Sequence, residues 1–370
     1  MSSDIPSPRF SAADHACMAR ALRLAARGLC TTTPNPRVGC VIVRDGQVVG
    51  EGWHQRAGEA HAELHALNQA GVLARGAVAY VTLEPCSHHG RTPPCADALV
   101  AAGVERVVVA VEDPDPRVVG GGLARLRTAG ISVETGLLAD AARETNVGFF
   151  ARMTRGMPWV RVKIAASLDG KTALNNGASQ WITGSDARRD AHRLRARSCA
   201  ILTGSGTVLA DDPQLTVRAV ETERQPLRVV LDSRLRMAPQ AKILAGGNTL
   251  VATSSEEAEK INALRQAGAE VVVLPAEDGR PSLRALLKEL GRREINEVTV
   301  EAGARLNGAL LAAGLVDELV VYCAPVVLGD SARGMFALPE LTEMAGKQSL
   351  RILDHRQVGD DFRWVARPLR

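Results

Sequence analysis

Aromatic side chains are scarce, at 3% of 370 residues, and none falls between Tyr80 and Phe149. Stacking platforms for single-stranded nucleic acid are correspondingly few in that stretch. No run approaches the ~18 consecutive apolar residues of a membrane-spanning helix, and the N-terminal MSSDIPSPRF has no basic segment followed by an apolar one. A membrane partner is not expected, and the expected location is the cytoplasm. Charge of one sign is not in excess either, because a net +4 over the chain is too dilute to mark a nucleic-acid or membrane surface. Seven cysteines make an odd, scattered set without secretory context. That argues against a disulfide framework and directs attention to Cys86 and Cys95 as metal or catalytic residues.

What is present is a globular balance, 46% hydrophobic and 23% charged, in a chain that has room for two cores at about 150 residues each. A helix is expected over 11–27, capped by Ser11, with Asp14 in its first turn and Gly28 as its stop. Apolar runs at 38–43 and 48–50 flank Asp45 and Gly46, a hairpin signal. Helices over 61–70, 96–102, 123–128 and 139–150 then alternate with strands over 78–83, 107–111 and 131–134. This is the pattern of a three-layer α/β sheet with helices on both faces. Gly and Pro interrupt a helical pattern at 153–158 and a fresh strand follows, which sets domains at 1–152 and 153–370. The second half has its own strands over 160–165, 200–203, 227–231, 249–252, 270–273, 297–300 and 318–323.

The most informative residues are His61, Glu63, Cys86 and Cys95. His61 and Glu63 open one expected helix, Cys86 follows a strand, and Cys95 opens the next helix. One imidazole and two thiolates are donors that Zn2+ prefers, and three protein ligands leave a fourth position for water. The helix start favours the thiolate of Cys95. From the first turn, Glu63 can reach the water and substrate beside a metal held by His61. It can take a proton from that water and deliver it to a ring nitrogen and then to departing ammonia, as in zinc deaminases with H-x-E and P-C motifs. The chemistry implied is hydrolytic removal of an amino group from a heterocycle; a structural zinc, or ordinary core His and Cys, is the alternative. Generic nucleoside and tRNA deaminases keep two residues between the cysteines, whereas eight intervene here. His88, His89 and Arg91 give that loop donors for an anionic group such as phosphate, unless it is simply solvated.

In the second half no G-x-G-x-x-G opens a first helix, so an ordinary Rossmann site is not expected. A strand over 298–300 runs into Glu301, Ala302, Gly303, Ala304 and Arg305 at a helix start, where backbone donors can hold a pyrophosphate.

The run TLEPCSHHGRTPPC, with TPNPRVGCVIV and GEAHAELHAL before it, closely resembles the deaminase half of the bifunctional riboflavin-biosynthesis deaminase-reductases. KIAASLDGKTA, SQWITG, ILTGSGTVLADDPQLTVR, LDSRLR and VEAGARLNGALL resemble their reductase half, so the likeness covers nearly the whole chain in the family's order. It implies a cytidine-deaminase-like three-layer α/β/α domain followed by a dihydrofolate-reductase-like α/β domain, with Zn2+ and NADPH as cofactors. The first domain would deaminate 2,5-diamino-6-(5-phosphoribosylamino)pyrimidin-4(3H)-one. The second would reduce the ribosyl side chain of the resulting 5-amino-6-(5-phosphoribosylamino)uracil to ribityl.

By the same resemblance NADPH is contacted by Ala165, Trp181, Thr207, Asp211, Ser233 and the stretch Gly303, Ala304, Arg305, Leu306, Asn307, Gly308 and Ala309. Substrate falls to Ser179, Arg195, Leu215, Arg218 and Glu301, with the forks of Arg195 and Arg218 suited to the 5-phosphate. Asn35 and His54 resemble positions that approach the pyrimidine and ribose, and Lys163 is a candidate to orient the opened sugar or stabilise an imine-like state. Plainer readings exist: a buried anchor for Trp181, a solvated helix face for Arg195, turns for Asp211 and Asn35, and an exposed strand lysine for Lys163. The expected partners are a small phosphorylated pyrimidine and further copies of the chain, without nucleic acid. The alternative is a zinc-dependent nucleic-acid-editing or binding protein with a non-catalytic C-terminal module.

Overall fold

Ser11 and Asp14 open the first element reciprocally: the Ser11 hydroxyl accepts from the Asp14 backbone N–H at 3.1 Å, and the Asp14 carboxylate accepts from the Ser11 N–H at 2.8 Å. This capping box starts α1 (Ala12–Ala25). The computed structural model describes residues 9–87, 94–116 and 118–369. It divides into two units, Met1–Arg155 and Gly156–Arg370.

In the first unit β1 (Gly39–Arg44) and β2 (Gln47–Trp53) form the expected hairpin, with Asp45 and Gly46 at φ 51° and 76°, the two positive angles a type I′ turn needs. There follow α2 (Ala62–Ala70), β3 (Val78–Val81), α3 (Cys95–Ala102), β4 (Arg106–Val109), α4 (Gly121–Thr128), β5 (Ser132–Thr135), α5 (Ala139–Thr145) and α6 (Val147–Arg155). The sheet order is β2-β1-β3-β4-β5, with β1 antiparallel to both neighbours and the last three strands parallel. Side chains alternate across it. Ile42, Ala79, Val81 and Val107 pack with Ala66, Leu99 and Leu126 of α2, α3 and α4, while Val41, Tyr80 and Val108 pack with Met18, Ala142 and Phe149 of α1, α5 and α6. The result is three layers, as expected. A Cβ on Gly50 would stand 2.2 Å from the Ala66 carbonyl oxygen, so glycine is what lets α2 lie directly on β2.

One expected helix is two. The pattern over 139–150 breaks at buried Asn146, whose side chain accepts from the Arg37 N–H at 2.8 Å and donates to the Arg37 carbonyl at 2.9 Å. This long-range pair takes the place of helical continuity. The boundary expected after residue 152 falls inside α6, which runs to Arg155.

The second unit contains β6 (Trp159–Ser167), β7 (Lys171–Ala173), α7 (Ser185–Arg197), β8 (Ala200–Gly204), α8 (Ser205–Asp211), β9 (Leu227–Leu231), β10 (Thr249–Thr253), α9 (Ala258–Gln266) and β11 (Ala269–Val273). It continues with β12 (Ala276–Glu277), β13 (Arg280–Pro281), α10 (Leu283–Arg292), β14 (Glu297–Val300), α11 (Ala304–Ala312), β15 (Glu318–Ala324), β16 (Arg333–Gly334), β17 (Leu350–Val358) and β18 (Asp361–Pro368). Nine strands form one sheet in the order β11-β10-β9-β8-β14-β6-β15-β18-β17. The first seven run parallel, and β18 and β17 close the edge antiparallel. α10 and α11 cover one face through Leu286, Leu290 and Leu310, and α7, α8 and α9 the other through Ala191, Val208 and Ile261. The hairpin β17–β18 was not expected, because β17 is exposed along almost its whole length and shows no alternation to read.

Candidate active sites

In the first unit two helix starts aim the ligands. His61 is the N-cap of α2 and Cys95 the first residue of α3, so both side chains leave the sheet at the same end. His61 Nδ1 lies 3.3 Å from Cys95 Sγ and 3.7 Å from Cys86 Sγ, and the backbone N–H of Cys95 donates to Cys86 Sγ at 3.3 Å. All three potential ligand atoms lie within 4.8 Å of one another. The Cys95 thiol, with help from His61 and the Cys95 N–H, lowers the Cys86 thiol to about 4, and the same contact with burial pushes Cys95 up. Between the two thiols the surroundings favour the thiolate of Cys86 and not that of the helix-start Cys95, the reverse of the expectation from the sequence; a bound metal ion would take both as thiolates. Glu63, in the first turn of α2 and only 3% exposed, has a buried Oε2 without a hydrogen-bond partner. Burial raises its carboxyl to about 7. An imidazole, two thiols and an unpaired carboxylate oxygen converging at one point fit a zinc ion with a water beside it.

Asn35 and His54 come to the same place. His54 Nδ1 faces the Ala60 carbonyl at 3.1 Å and Nε2 faces Asn35 Nδ2 at 3.0 Å. This assigns the proton to Nδ1, and burial lowers the His54 pKa and keeps the ring neutral. His54 meets the His61 ring edge-on with centroids 5.2 Å apart. His88 and Arg91 lie outside the described residues.

In the second unit the named residues collect at the carboxyl ends of parallel strands, where open α/β sheets place their ligands. Lys163 and Ala165 are on β6, Thr207 and Asp211 are on α8 just after β8, Ser233 follows β9, and Glu301 to Gly303 link β14 to α11. Gly303 caps α11 without a side chain of its own, which leaves the helix's first N–H groups to a ligand. Within the stretch 303–309, Asn307 and Gly308 face inward: Asn307 Nδ2 donates to the Ala302 carbonyl at 3.1 Å, and a Cβ on Gly308 would stand 2.2 Å from the Ala337 oxygen. Both residues shape the turn. Trp181 is 68% exposed, with the Arg188 guanidinium 4.7 Å from its ring centre, so it is not a buried anchor. Burial raises the pKa of the Asp211 carboxyl, and the neighbouring Ser179 side chain opposes that shift.

Arg195 differs from the expected phosphate fork. Its Nε and Nη2 hold Glu301 at 2.5 and 2.9 Å and its Nη1 holds the Thr216 carbonyl at 3.1 Å, so the fork is committed to a carboxylate. Burial opposes the Glu301 charge, but Arg195 and Lys163 prevail and hold it at about 2. Lys163 Nζ lies 3.8 Å from Glu301 and is not an exposed strand lysine. Leu215 is buried at φ 52°, and Arg218 is exposed, with no side-chain hydrogen bond among the described residues. Sequence reading missed His192 on α7, whose Nδ1 accepts from the Arg218 backbone N–H at 3.2 Å. It also missed Tyr322, which donates to Asp190 at 2.7 Å beside Lys163. These contacts join residues far apart in the chain, so no local motif signals them.

Residues 158–363 match the family described as the RibD C-terminal domain, and residues 11–111 match the cytidine and deoxycytidylate deaminase zinc-binding region. The riboflavin biosynthesis protein RibD of Escherichia coli is 52% identical over 361 residues, covering 94% of this chain and 97% of that protein. Its Haemophilus influenzae counterpart is 48% identical, covering 97% and 98%. The solved structure of Acinetobacter baumannii RibD superposes with a TM-score of 0.90 at 46% identity, covering 97% of this chain and 99% of that one. A Thermotoga maritima deaminase/reductase superposes at 0.86 with 33% identity, covering 96% and 99%.

Proposed function

The chain belongs to the RibD family, bifunctional riboflavin-biosynthesis enzymes that join a zinc-dependent deaminase to an NADPH-dependent reductase, and we propose which residues carry each step and on which substrate. The first unit deaminates 2,5-diamino-6-(5-phosphoribosylamino)pyrimidin-4(3H)-one. His61, Cys86 and Cys95 hold the zinc, which supplies the Lewis acidity that makes water a nucleophile near neutral pH. Glu63 Oε2 takes one proton from the attacking water and delivers it to the pyrimidine ring nitrogen, then takes the second from the hydroxyl so added and delivers it to the amine that leaves as ammonia. Asn35 and the neutral His54 border the pyrimidine and ribose, and His88 and Arg91 bind the anionic end of the substrate. The observation that carries this reading is the buried, unpartnered Oε2 of Glu63 beside three converging ligand atoms.

The second unit reduces the ribosyl side chain of 5-amino-6-(5-phosphoribosylamino)uracil. NADPH, held at the start of α11 and by Ala165, Trp181, Thr207, Asp211 and Ser233, supplies the hydride. Glu301, held ionised by Arg195, and Lys163 face the opened sugar. Ser179, Leu215 and Arg218 complete the pocket, with Arg218 on the phosphate. The relatives and the reductase match over 158–363 do not favour the nucleic-acid alternative with an inert second module. No helix among the described residues is long and apolar enough to cross a membrane. The working form is a cytoplasmic homo-oligomer, supported by the apolar Ile352, Phe362 and Trp364 left exposed on β17 and β18. The test supplies the diaminopyrimidine with Zn2+ and NADPH: one ammonia and one NADP+ per substrate support the reading, and ammonia without NADPH consumption contradicts the second half of it.

A further inference from the structure

The deaminase unit holds a buried carboxylate that the chemistry above does not use. Glu84, 4% exposed, receives four backbone N–H groups. Its Oε2 accepts from Asp113 at 3.2 Å and Gly120 at 3.0 Å, and its Oε1 from Gly122 at 2.9 Å and Leu123 at 3.3 Å. Gly120, the N-cap of α4, has no side chain to offer, so Glu84 caps that helix from another segment and sets its charge against the positive helix end. Glu84 lies two residues before Cys86, and β3 has already ended at Val81, so no strand ladder fixes the cysteine.

The backbones of the two segments are in close contact. A Cβ on Gly122 would stand 1.9 Å from the Pro85 carbonyl oxygen, and one on Gly121 would stand 2.7 Å from Ser87 Oγ. The residues on both sides of Cys86 therefore rest on the start of α4, and the Glu84 carboxylate ties them there. We propose that Glu84 is a positioning residue that buckles the Cys86 segment to the start of α4 and so fixes Cys86 Sγ within reach of His61 and Cys95. The carboxylate has two acceptor oxygens for four donors; an amide keeps one and turns an NH2 toward donors. Partners of this kind behind a ligand are commonly worth about 10–100-fold in metal affinity.

The proposal rests on the reading of Cys86 as a ligand, and the experiment separates the two. The full chain is loaded with Co2+, and the thiolate-to-cobalt absorption is recorded for wild type, Glu84→Gln and Gly122→Ala. Zn2+ loss to EDTA is followed in parallel by metal analysis. Wild type should show the band. Both variants should show it weakened or shifted and lose Zn2+ about 10–100-fold faster, with unchanged NADPH oxidation on supplied deaminated substrate and an unchanged far-ultraviolet circular-dichroism spectrum. No band in wild type defeats the ligand reading of Cys86. A wild-type band and wild-type Zn2+ retention in both variants overturn the role of Glu84 alone. Loss of helical signal in Glu84→Gln assigns the residue to folding and overturns it as well.

Discussion

In the deaminase unit the proposed ligands and the proposed acid–base group all lie between residues 61 and 95, aimed by two helix starts and the turn after a strand. In the reductase unit the corresponding groups come from β6, α7, α8, β14 and the segments after them, and Lys163 meets Glu301 only because β6 and β14 are sheet neighbours. The first site is set by local chain geometry and completed by a metal; the second is set by strand order and completed by a cofactor. A local site should fail through single residues, and a topological one should degrade by steps.

The largest effect should come from Glu63→Gln, which keeps the shape of the carboxylate and removes its proton transfer. Ammonia release should fall about 10²–10⁴-fold with Zn2+ content and NADPH oxidation unchanged; turnover near wild type would remove Glu63 from the chemistry. Next is Arg195→Lys. A lysine cannot hold Glu301 through two parallel bonds, and hydrogen bonds to a charged group contribute ~1.5–3 kcal/mol each. Reductase kcat/KM should drop about 10–100-fold with deamination intact, and an unchanged value would show that the Arg195–Glu301 pair is not part of the site.

These two residues also mark how much was legible in the sequence. H-A-E, P-C and the second cysteine carry their geometry with them, because a helix start or a strand end turns each side chain in a known direction. The β and α periodicities likewise gave both units their layers. Arg195 read as a phosphate fork because its partner lies in the segment after β14, more than a hundred residues along the chain, and nothing near residue 195 announces Glu301. Asn146 broke an expected helix through Arg37, and β17 was invisible for want of a buried face.

Smaller effects sharpen the contrast. Gly50→Ala places a Cβ 2.2 Å from the Ala66 oxygen. It should destabilise the deaminase unit by about 1–3 kcal/mol, seen as an earlier loss of ammonia release on heating, while NADPH oxidation survives to the wild-type temperature. The smallest effect concerns His192, which burial, Arg195 and Arg218 hold at about 4 against an ordinary 6.5. Between those values the unfolded chain binds the proton and the folded one does not, so this contribution is full above 6.5 and is lost as pH falls toward 4. The reductase unit should thus unfold at lower urea concentration at acid pH, and His192→Gln, which can still accept from the Arg218 N–H, should flatten that slope. An identical slope in the variant would discharge His192 from the effect.

Two independent sites in one chain are tested most directly by stripping the metal and assaying both steps on the same preparation. With EDTA present, ammonia release should cease while NADPH oxidation on supplied 5-amino-6-(5-phosphoribosylamino)uracil continues at the untreated rate, and Zn2+ should restore the first step. Simultaneous loss of both activities, or ammonia release that persists in the metal-free protein, would contradict the account.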